Sequence, residues 1–537
     1  MGSASRQVAG DTLSGATWTT VSRVTGFARA VTIAAVLGPT YFGNTFQATN
    51  LLPNLTYEFL TGALFSSLLV PSLVRHIDVG DTKAGERLAG GFLGVALIAF
   101  SLVTVVVIVA GPVLLRFLSL GVEDPGVAEA QRRVGSLLIA LLMPQVLLYG
   151  IAATGAAVMN AHGRFALAAA APALENIGVI ATMAALAVVF GAAPSLENVG
   201  TPYLLVLGLG TTGAVGLHAL AQWLGAQRSG VRLVPRAGWR DPEVRDVLRR
   251  AVPSLGYAGL NSVRVFAVLV VANRVPGGVV AFQLALNFFY LPVAVWARPV
   301  SVAMLPRLSR LREMPGAFHD ELVKGASLAL FLVVPAAMAY AALALPLAKA
   351  ASLGEMSTPA GVALVAASLA ALAPGVVGEA GFVMATHASY AQGDVRAPLR
   401  SMAVRTFMAL TAMVLAFFLA DGLALLVVLG LGISASNLSS AWLLGRGLLY
   451  RQGGTEGLGA PFLRTLAASA LMVLPAHLVA THLPRSLDSA WEDVVAMIVA
   501  GITGTAVFVA VQWAWRSPEL DSLVKSRWVP MRKGRRS

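Results

Sequence analysis

The sequence contains no cysteine in 537 residues, which excludes disulfides, thiolate metal sites and thiol nucleophiles outright. Charge is nearly as scarce: 12% of residues are charged, about half the share in a soluble globular chain. Acids are the rarer sign, 26 against 39 Lys and Arg, so the net charge is +13. The chain has no HExxH zinc site and no P-loop, and its seven histidines are scattered without ligand spacing. No cofactor and no metal are therefore expected, and no enzyme activity. What is abundant is apolar surface: 57% of residues are hydrophobic and the mean hydropathy is +0.75. That composition belongs to an all-α polytopic membrane protein. The 53 glycines lie largely in apolar stretches and are read as close-packing positions.

About fourteen spans of roughly 20 or more apolar residues can be placed: 13–37, 44–74, 88–118, 134–160, 165–190, 202–226, 251–273, 278–305, 325–350, 359–390, 397–419, 422–445, 462–482 and 490–515. Pro53, Pro144, Pro253, Pro292 and Pro374 fall inside them and predict kinks. The N-terminus lacks a signal-peptide pattern and is expected to be retained in the cytoplasm. With that end inside, about 28 of the 39 Lys and Arg fall on the cytoplasmic side and about six outside. The positive-inside rule thus absorbs the net charge, and nucleic acid is not needed to explain it. Both termini are expected in the cytoplasm, in a multi-pass protein of the inner membrane.

The chain also repeats itself. LLVPSLVRH (68–76) ends the second span as AMLPRLSRL (303–311) ends the eighth, and AHGRFALAAAAP (161–172) follows the fourth as AQGDVRAP (391–398) follows the tenth. Pro71 and Pro306 are 235 positions apart, and Gly163 and Gly393 are 230 apart. The expected organisation is a six-helix lobe at 1–226, a basic linker at 227–250 and a second six-helix lobe at 251–450. Helices 13 and 14 follow at 451–515, and a basic tail at 516–537. Internal repeats of this kind are typical of transporters with a site between the repeats.

Arg23 and Arg29 sit within the first span, where a central Arg costs about 2.5–3.5 kcal/mol on insertion scales. Arg suits phosphate because its planar fork donates in pairs and stays charged at any depth. The two are expected to line a wet cavity; the bland alternative has Arg23 snorkelling to the surface and Arg29 paired with an acid such as Glu58. Asn50, Asn54 and Tyr57 form a polar stripe at i, i+4 and i+7 around Pro53, facing either ligand or a neighbouring helix. Further candidates are Arg264, taken as a counterpart of Arg23 by type and rough position, with Asn287, Asn261 and Arg298. His218, Gln222, Asn176 and His387 complete the buried polar set. Glu175 and Glu379 are candidates for ion or proton coupling.

These stretches resemble a known family. SRVTGFARAVTIAAVLG (22–38), the LPN of 52–54, AAVMNAHGRFALAAAAPALENI (156–177) and VAMLPRLSRL (302–311) are similar to the MurJ/MviN lipid II flippases of the multidrug/oligosaccharidyl-lipid/polysaccharide exporter superfamily. The Tyr57–Glu58 pair after LPN looks most like actinobacterial members. The resemblance implies a two-lobed, V-shaped, MATE-like fold that moves a polyprenyl-diphosphate-linked glycan across the membrane by alternating access. It also implies that Arg23 and Arg29 serve the diphosphate, and that membrane lipids and cell-wall synthesis proteins are partners. Against the family pattern, Ala30 and Asn44 stand where acids are usual, Tyr57 stands where many members have Arg, and Asn287 is the polar residue nearest another lost Arg. These departures keep open a Wzx-like exporter of another polyprenyl-linked glycan. A drug or cation antiporter, a non-transporting cell-wall scaffold and a glycosyltransferase using the acids of 121–126 or 486–493 are the remaining alternatives.

Overall fold

The computed structural model describes residues 2–61, 69–451, 454, 457–483 and 490–528, with side chains described from 17 onward except at 250–254, 490–491 and 525–528. All regular structure among them is helical: α1 (Gly2–Leu37), α2 (Tyr41–Thr61), α3 (Val70–Asp78), α4 (Thr82–Leu118), α5 (Pro125–Leu142), α6 (Gln145–Ala161), α7 (Phe165–Phe190), α8 (Thr201–Arg228), α9 (Pro242–Ala272), α10 (Gly278–Pro292), α11 (Arg298–Arg310), α12 (Pro315–Ala342), α13 (Ala344–Ala351), α14 (Pro359–Ala391), α15 (Arg396–Leu419), α16 (Gly422–Arg451), α17 (Gly459–His482), α18 (Ala490–Ala514) and α19 (Pro518–Trp528). Thirteen helical segments among the described residues, with α5 and α6 counted as one, are long and apolar enough to cross a membrane. The expected second span, 44–74, runs over 62–68, which lie outside the described residues; α2 and α3 are its described ends.

Proline acts on these helices unevenly. The expected fourth span is two helices, α5 and α6, which meet at Met143 and Pro144, and Pro292 leads into a five-residue π-helical stretch before α11. Missing N–H donors account for both interruptions. Helix α2 runs on through Pro53, and α14 through Pro374. Side-chain caps start several helices: Asp81 accepts from Ala84 N at 2.9 Å, Asp124 from Gly126 N at 2.7 Å and Asp241 from Glu243 N at 2.9 Å.

The chain divides into two compact units, Met1–Gln283 with Leu353–Gly361, and Leu284–Ser352 with Val362–Ser537. In the first, α7 packs along both α1 and α8, and α2 packs on α5 and α9. Its core includes Ile33, Leu37, Phe42, Phe46, Leu138 and Met183. In the second, α15 packs on α16 and α17 on α18, with Phe331, Ala468, Met472 and Phe508 in one apolar cluster.

The basic stretch expected as a linker is ordered along the first unit, and α9 already begins at Pro242 inside it. Arg236 N donates to Gly90 O at 2.9 Å, Arg232 N to Glu86 at 3.0 Å and Trp223 Nε1 to Leu233 O at 3.3 Å. Gly91 and Gly94 of α4 lie so close to the backbone of Gly238 and Arg236 that a Cβ on either glycine would meet it. The tail also departs from expectation, because its first part folds as α19. Leu520 and Leu523 of α19 pack on the Phe331 and Phe508 cluster.

The repeat is visible in the elements. Helices α1 and α9 end 235 positions apart, at Leu37 and Ala272, and α6 and α14 end 230 apart, at Ala161 and Ala391. The turns after α6 and α14 place Gly163 and Gly393 at φ of +70° and +78°, a backbone conformation that side chains with a Cβ resist.

Candidate functional site

In the first unit, polar side chains from three helices converge on Glu175 of α7. Arg29 Nη1 of α1 donates to Glu175 Oε1 at 3.0 Å, Tyr149 OH of α6 donates to the same oxygen at 3.3 Å, and His218 Nδ1 of α8 meets Oε2 at 3.0 Å. An ionised carboxylate only accepts, so this geometry puts a proton on His218 Nδ1. Gln222, one turn after His218, approaches its Nε2 at 3.5 Å and donates to Ala168 O at 3.0 Å. From α2, the Tyr57 ring lies 5.7 Å from the Tyr149 ring and 6.2 Å from that of Phe100.

The close approach of α1 to α7 has a local cause. Gly26 leaves room for Asn176, which donates to Ser22 O and Thr25 Oγ1, both at 3.1 Å. That amide fixes α1 against α7 one turn away from the ion pair. The pair itself is graded in exposure: the Glu175 side chain is 12% exposed and Arg29 33%. Arg29 therefore neutralises a nearly buried acid while keeping accessible surface, the disposition expected of a cation that can exchange its partner for an anionic ligand.

A second group lies between α2 and α9. Asn261 Nδ2 donates to Glu58 Oε1 at 3.3 Å, and Arg264 Nη2 donates to Asn261 Oδ1 at 2.9 Å. Arg264 is 5% exposed and its Nε has no hydrogen-bond partner. The 235-position register puts Arg264 opposite Arg29, not Arg23, which corrects the counterpart drawn from type and rough position. Likewise the acid on Arg29 is Glu175, whereas Glu58 meets Asn261.

Of the other candidates, Arg23 is exposed on α1 and Asn50 is half-buried on α2. Asn287 is half-buried on α10 and belongs to the second unit, as does Glu379. Glu379 of α14 forms an ion pair with Arg405 of α15, whose guanidinium carbon also lies 5.1 Å from the Phe382 ring centroid. Neither Arg405 nor Tyr149 was singled out from the sequence. The repeat carried the signal: Tyr149 and Glu379 are 230 positions apart, and so are Glu175 and Arg405.

Asn44, read as the loss of a cavity acid, is wholly buried, with both ends of its amide in use. Its Nδ2 donates to Val275 O at 2.8 Å and its Oδ1 accepts from Val279 N at 2.9 Å, bridging α2 to the turn between α9 and α10. Aspartate at this position would have no hydrogen to give Val275, so the substitution serves a contact. Beside it Gln131 and Asn273 exchange hydrogen bonds at 3.0 and 3.1 Å, and Asn273 also donates to Leu118 O at 2.9 Å.

Comparison with known proteins bears on these helices directly. Residues 33–499 match the family model described as lipid II flippase MurJ. The chain belongs to the MurJ family. A probable lipid II flippase MurJ of Rhizobium tropici is 26% identical over 322 residues, covering 59% of this chain and 58% of that protein. The corresponding protein of Haemophilus influenzae is 25% identical over 342 residues, with 61% and 65% covered, so the chain matches under two thirds of the length of these relatives. A lipid II flippase MurJ of Burkholderia cenocepacia is 26% identical over 396 residues, with 71% and 73% covered. A solved structure of lipid II flippase MurJ in an inward closed conformation superposes with a TM-score of 0.71 at 14% identity, covering 93% of this chain and 99% of that one. An inward-facing multidrug resistance MATE transporter superposes at 0.61 with 18% identity, covering 82% and 94%. At those identities the likenesses establish the fold: MurJ and MATE transporters share this helical architecture.

Proposed function

We propose that this MurJ family member flips lipid II, a polyprenyl-diphosphate-linked peptidoglycan precursor, across the cytoplasmic membrane by alternating access. The observation that carries the reading is the Arg29–Glu175 pair, an accessible guanidinium held by a nearly buried acid that has two further donors. When a diphosphate draws Arg29 away, Tyr149 and His218 still satisfy Glu175. A proton or cation taken up at Glu175 would then replace the lost positive charge, which gives this acid its role in coupling.

Arg23 and Arg264 supply further positive charge to the diphosphate in this mechanism, while Asn50, Asn54, Tyr57 and Asn287 contact sugar or peptide. Glu58 holds Asn261, and so Arg264, in place. Glu379 is committed to Arg405, leaving Glu175 the better-supported coupling acid. The buried amides around Asn44 join α2 to the end of α9, so an opening between the two repeats has to break them. The assignments of 1–226 and 251–450 as the moving lobes, of both termini to the cytoplasm, and of cell-wall synthesis proteins as partners belong to the same proposal.

The test is conditional depletion with mass spectrometry of polyprenyl-linked intermediates, complemented by wild type or Arg29→Ala. Lipid II should accumulate on depletion and be cleared by wild type, with at least about a tenfold loss of flipping for a correctly inserted Arg29→Ala protein. Accumulation of a different polyprenyl-linked glycan would reassign the substrate, and normal flipping by Arg29→Ala would remove the diphosphate role. Because the chain has no native cysteine, single cysteines introduced at Ser229 and Ser526 read the topology by thiol labelling.

A further inference from the structure

The second unit contains a cavity of about 610 Å³ between α11, the first half of α12 and the start of α19. Val300, Ala303, Met304 and Leu328 make its wall apolar, while Arg307 and Lys324 stand among its charged lining residues. Most of that charge is internally matched. Arg307 Nη1 lies 3.3 Å from Glu321 Oε1, and Glu519 of α19 pairs with Arg464. Among the described residues, Lys324 has no carboxylate within ion-pair distance.

A second polar group is left over inside. Ser327 lines the cavity, is 5% exposed, and its hydroxyl has no hydrogen-bond partner. Helical serines elsewhere in this unit bond back to the preceding turn, as Ser389 does to Ala385 O at 2.8 Å and Ser469 to Thr465 O at 2.7 Å. A buried hydroxyl without a partner is costly, and a ligand oxygen would relieve it. Pro518, Glu519 and Ser522 of α19 close one side of the cavity, and Leu520 and Leu523 hold that helix on the apolar cluster below.

The volume is within the range of small-ligand sites, the wall is too apolar for an inorganic ion, and the unmatched charge is positive. Basic pockets between membrane helices on the Lys- and Arg-rich side bind anionic lipid headgroups. We propose that this cavity holds one anionic phospholipid, with its phosphate at Lys324 and Ser327 and an acyl chain along Val300, Ala303, Met304 and Leu328. Seated there, the lipid bridges α11 and α12 to α19 independently of the flipped substrate.

The test is native mass spectrometry of the full chain incubated with phosphatidylglycerol, phosphatidylcholine, a polyprenyl monophosphate or inorganic phosphate. Wild type is expected to retain one phosphatidylglycerol, preferred about fivefold over phosphatidylcholine. Ala303→Trp, which fills the wall, should abolish retention, and Lys324→Glu should abolish the preference. Because Lys324 is exposed, its variant keeps the test decisive if Ala303→Trp fails to fold. An unchanged preference in Lys324→Glu, retention of the polyprenyl monophosphate in place of phospholipid, or displacement of lipid by inorganic phosphate would each overturn the proposal.

Discussion

In the first unit α6 presents Tyr149 and α7 presents Glu175; in the second, 230 positions on, α14 presents Glu379 and α15 presents Arg405. The same helix pair thus carries a phenol and an acid in one repeat and an acid and a base in the other. The consequence spreads to the helix that opens each repeat. Glu175 binds Arg29 of α1, whereas Arg405 in the corresponding place binds its own neighbour Glu379, and Arg264 of α9 rests on an amide. Glu175 takes its partners from α1, α6 and α8 at once, and the guanidinium among them stays 33% exposed. An acid paired on the adjacent helix closes the account locally, with Arg405 3% exposed. By that contrast the first cluster keeps an accessible cation and the second pair is closed off from solvent.

Breaking the second pair should have the larger effect on stability. Arg405→Ala leaves Glu379 buried without its base, a loss of about 3–5 kcal/mol that thermal unfolding in detergent would show as a large drop in Tm. Glu379→Gln with Arg405→Leu removes both charges and should recover most of that loss. If the double variant is as unstable as Arg405→Ala, the pair is not a closed structural unit, and the contrast with Arg29 fails.

Glu175→Gln tests the other side. It removes one of two acceptor oxygens from three donors, so it should cost about 1–3 kcal/mol, less than Arg405→Ala. Flipping should fall further than stability does. A flipping rate that merely tracks Tm would make this cluster structural as well.

The smallest effect belongs to the turn that the repeats share. Asp394, between α14 and α15, accepts from Ala397 N at 3.0 Å and Arg396 N at 2.9 Å and pairs with Arg451 at 3.0 Å. The backbone hydrogen bond from Ala397 and then that from Arg396, with Arg451, hold its carboxyl below the usual Asp range. A depressed carboxylate stabilises the fold above its unfolded-state pKa, and that contribution is lost as pH falls through the folded value. Asp394→Asn should therefore lower Tm slightly at neutral pH and narrow the gap from wild type in acid. The first repeat has Arg164 in this position and should show no such acid-side change.

Much of the fold was legible. The sequence predicts the span 165–190 as it is found, because a long apolar run between a Gly turn and a second Gly leaves few choices. The kink expected at Pro144 is a full interruption between α5 and α6, whereas α2 runs on through Pro53, and the helical start of the tail is missed because its short run of mixed charge lacks a span's apolar length. The basic stretch before α9 looks like a free linker because its charge is solvated, while the partner that fixes it, the small-residue face of α4, lies about 140 positions earlier.

The candidate site was legible as a set of residues more than as an arrangement. Arg29, Glu175, His218, Gln222, Asn54 and Tyr57 stand out because polar groups inside apolar spans are expensive, and cost can be read one residue at a time. Partnership cannot. Whether Arg29 meets Glu58 or Glu175, and whether Asn44 faces a cavity or clamps a turn, depends on which helix faces are brought within about 3 Å, a length set by hydrogen bonding. Periodicity fixes faces within a helix but leaves open which neighbour each face meets. Composition and hydropathy by themselves determined a helical membrane protein with costly interior charges. The tertiary structure alone decided that one repeat pairs its acid with an accessible arginine and the other with a buried one.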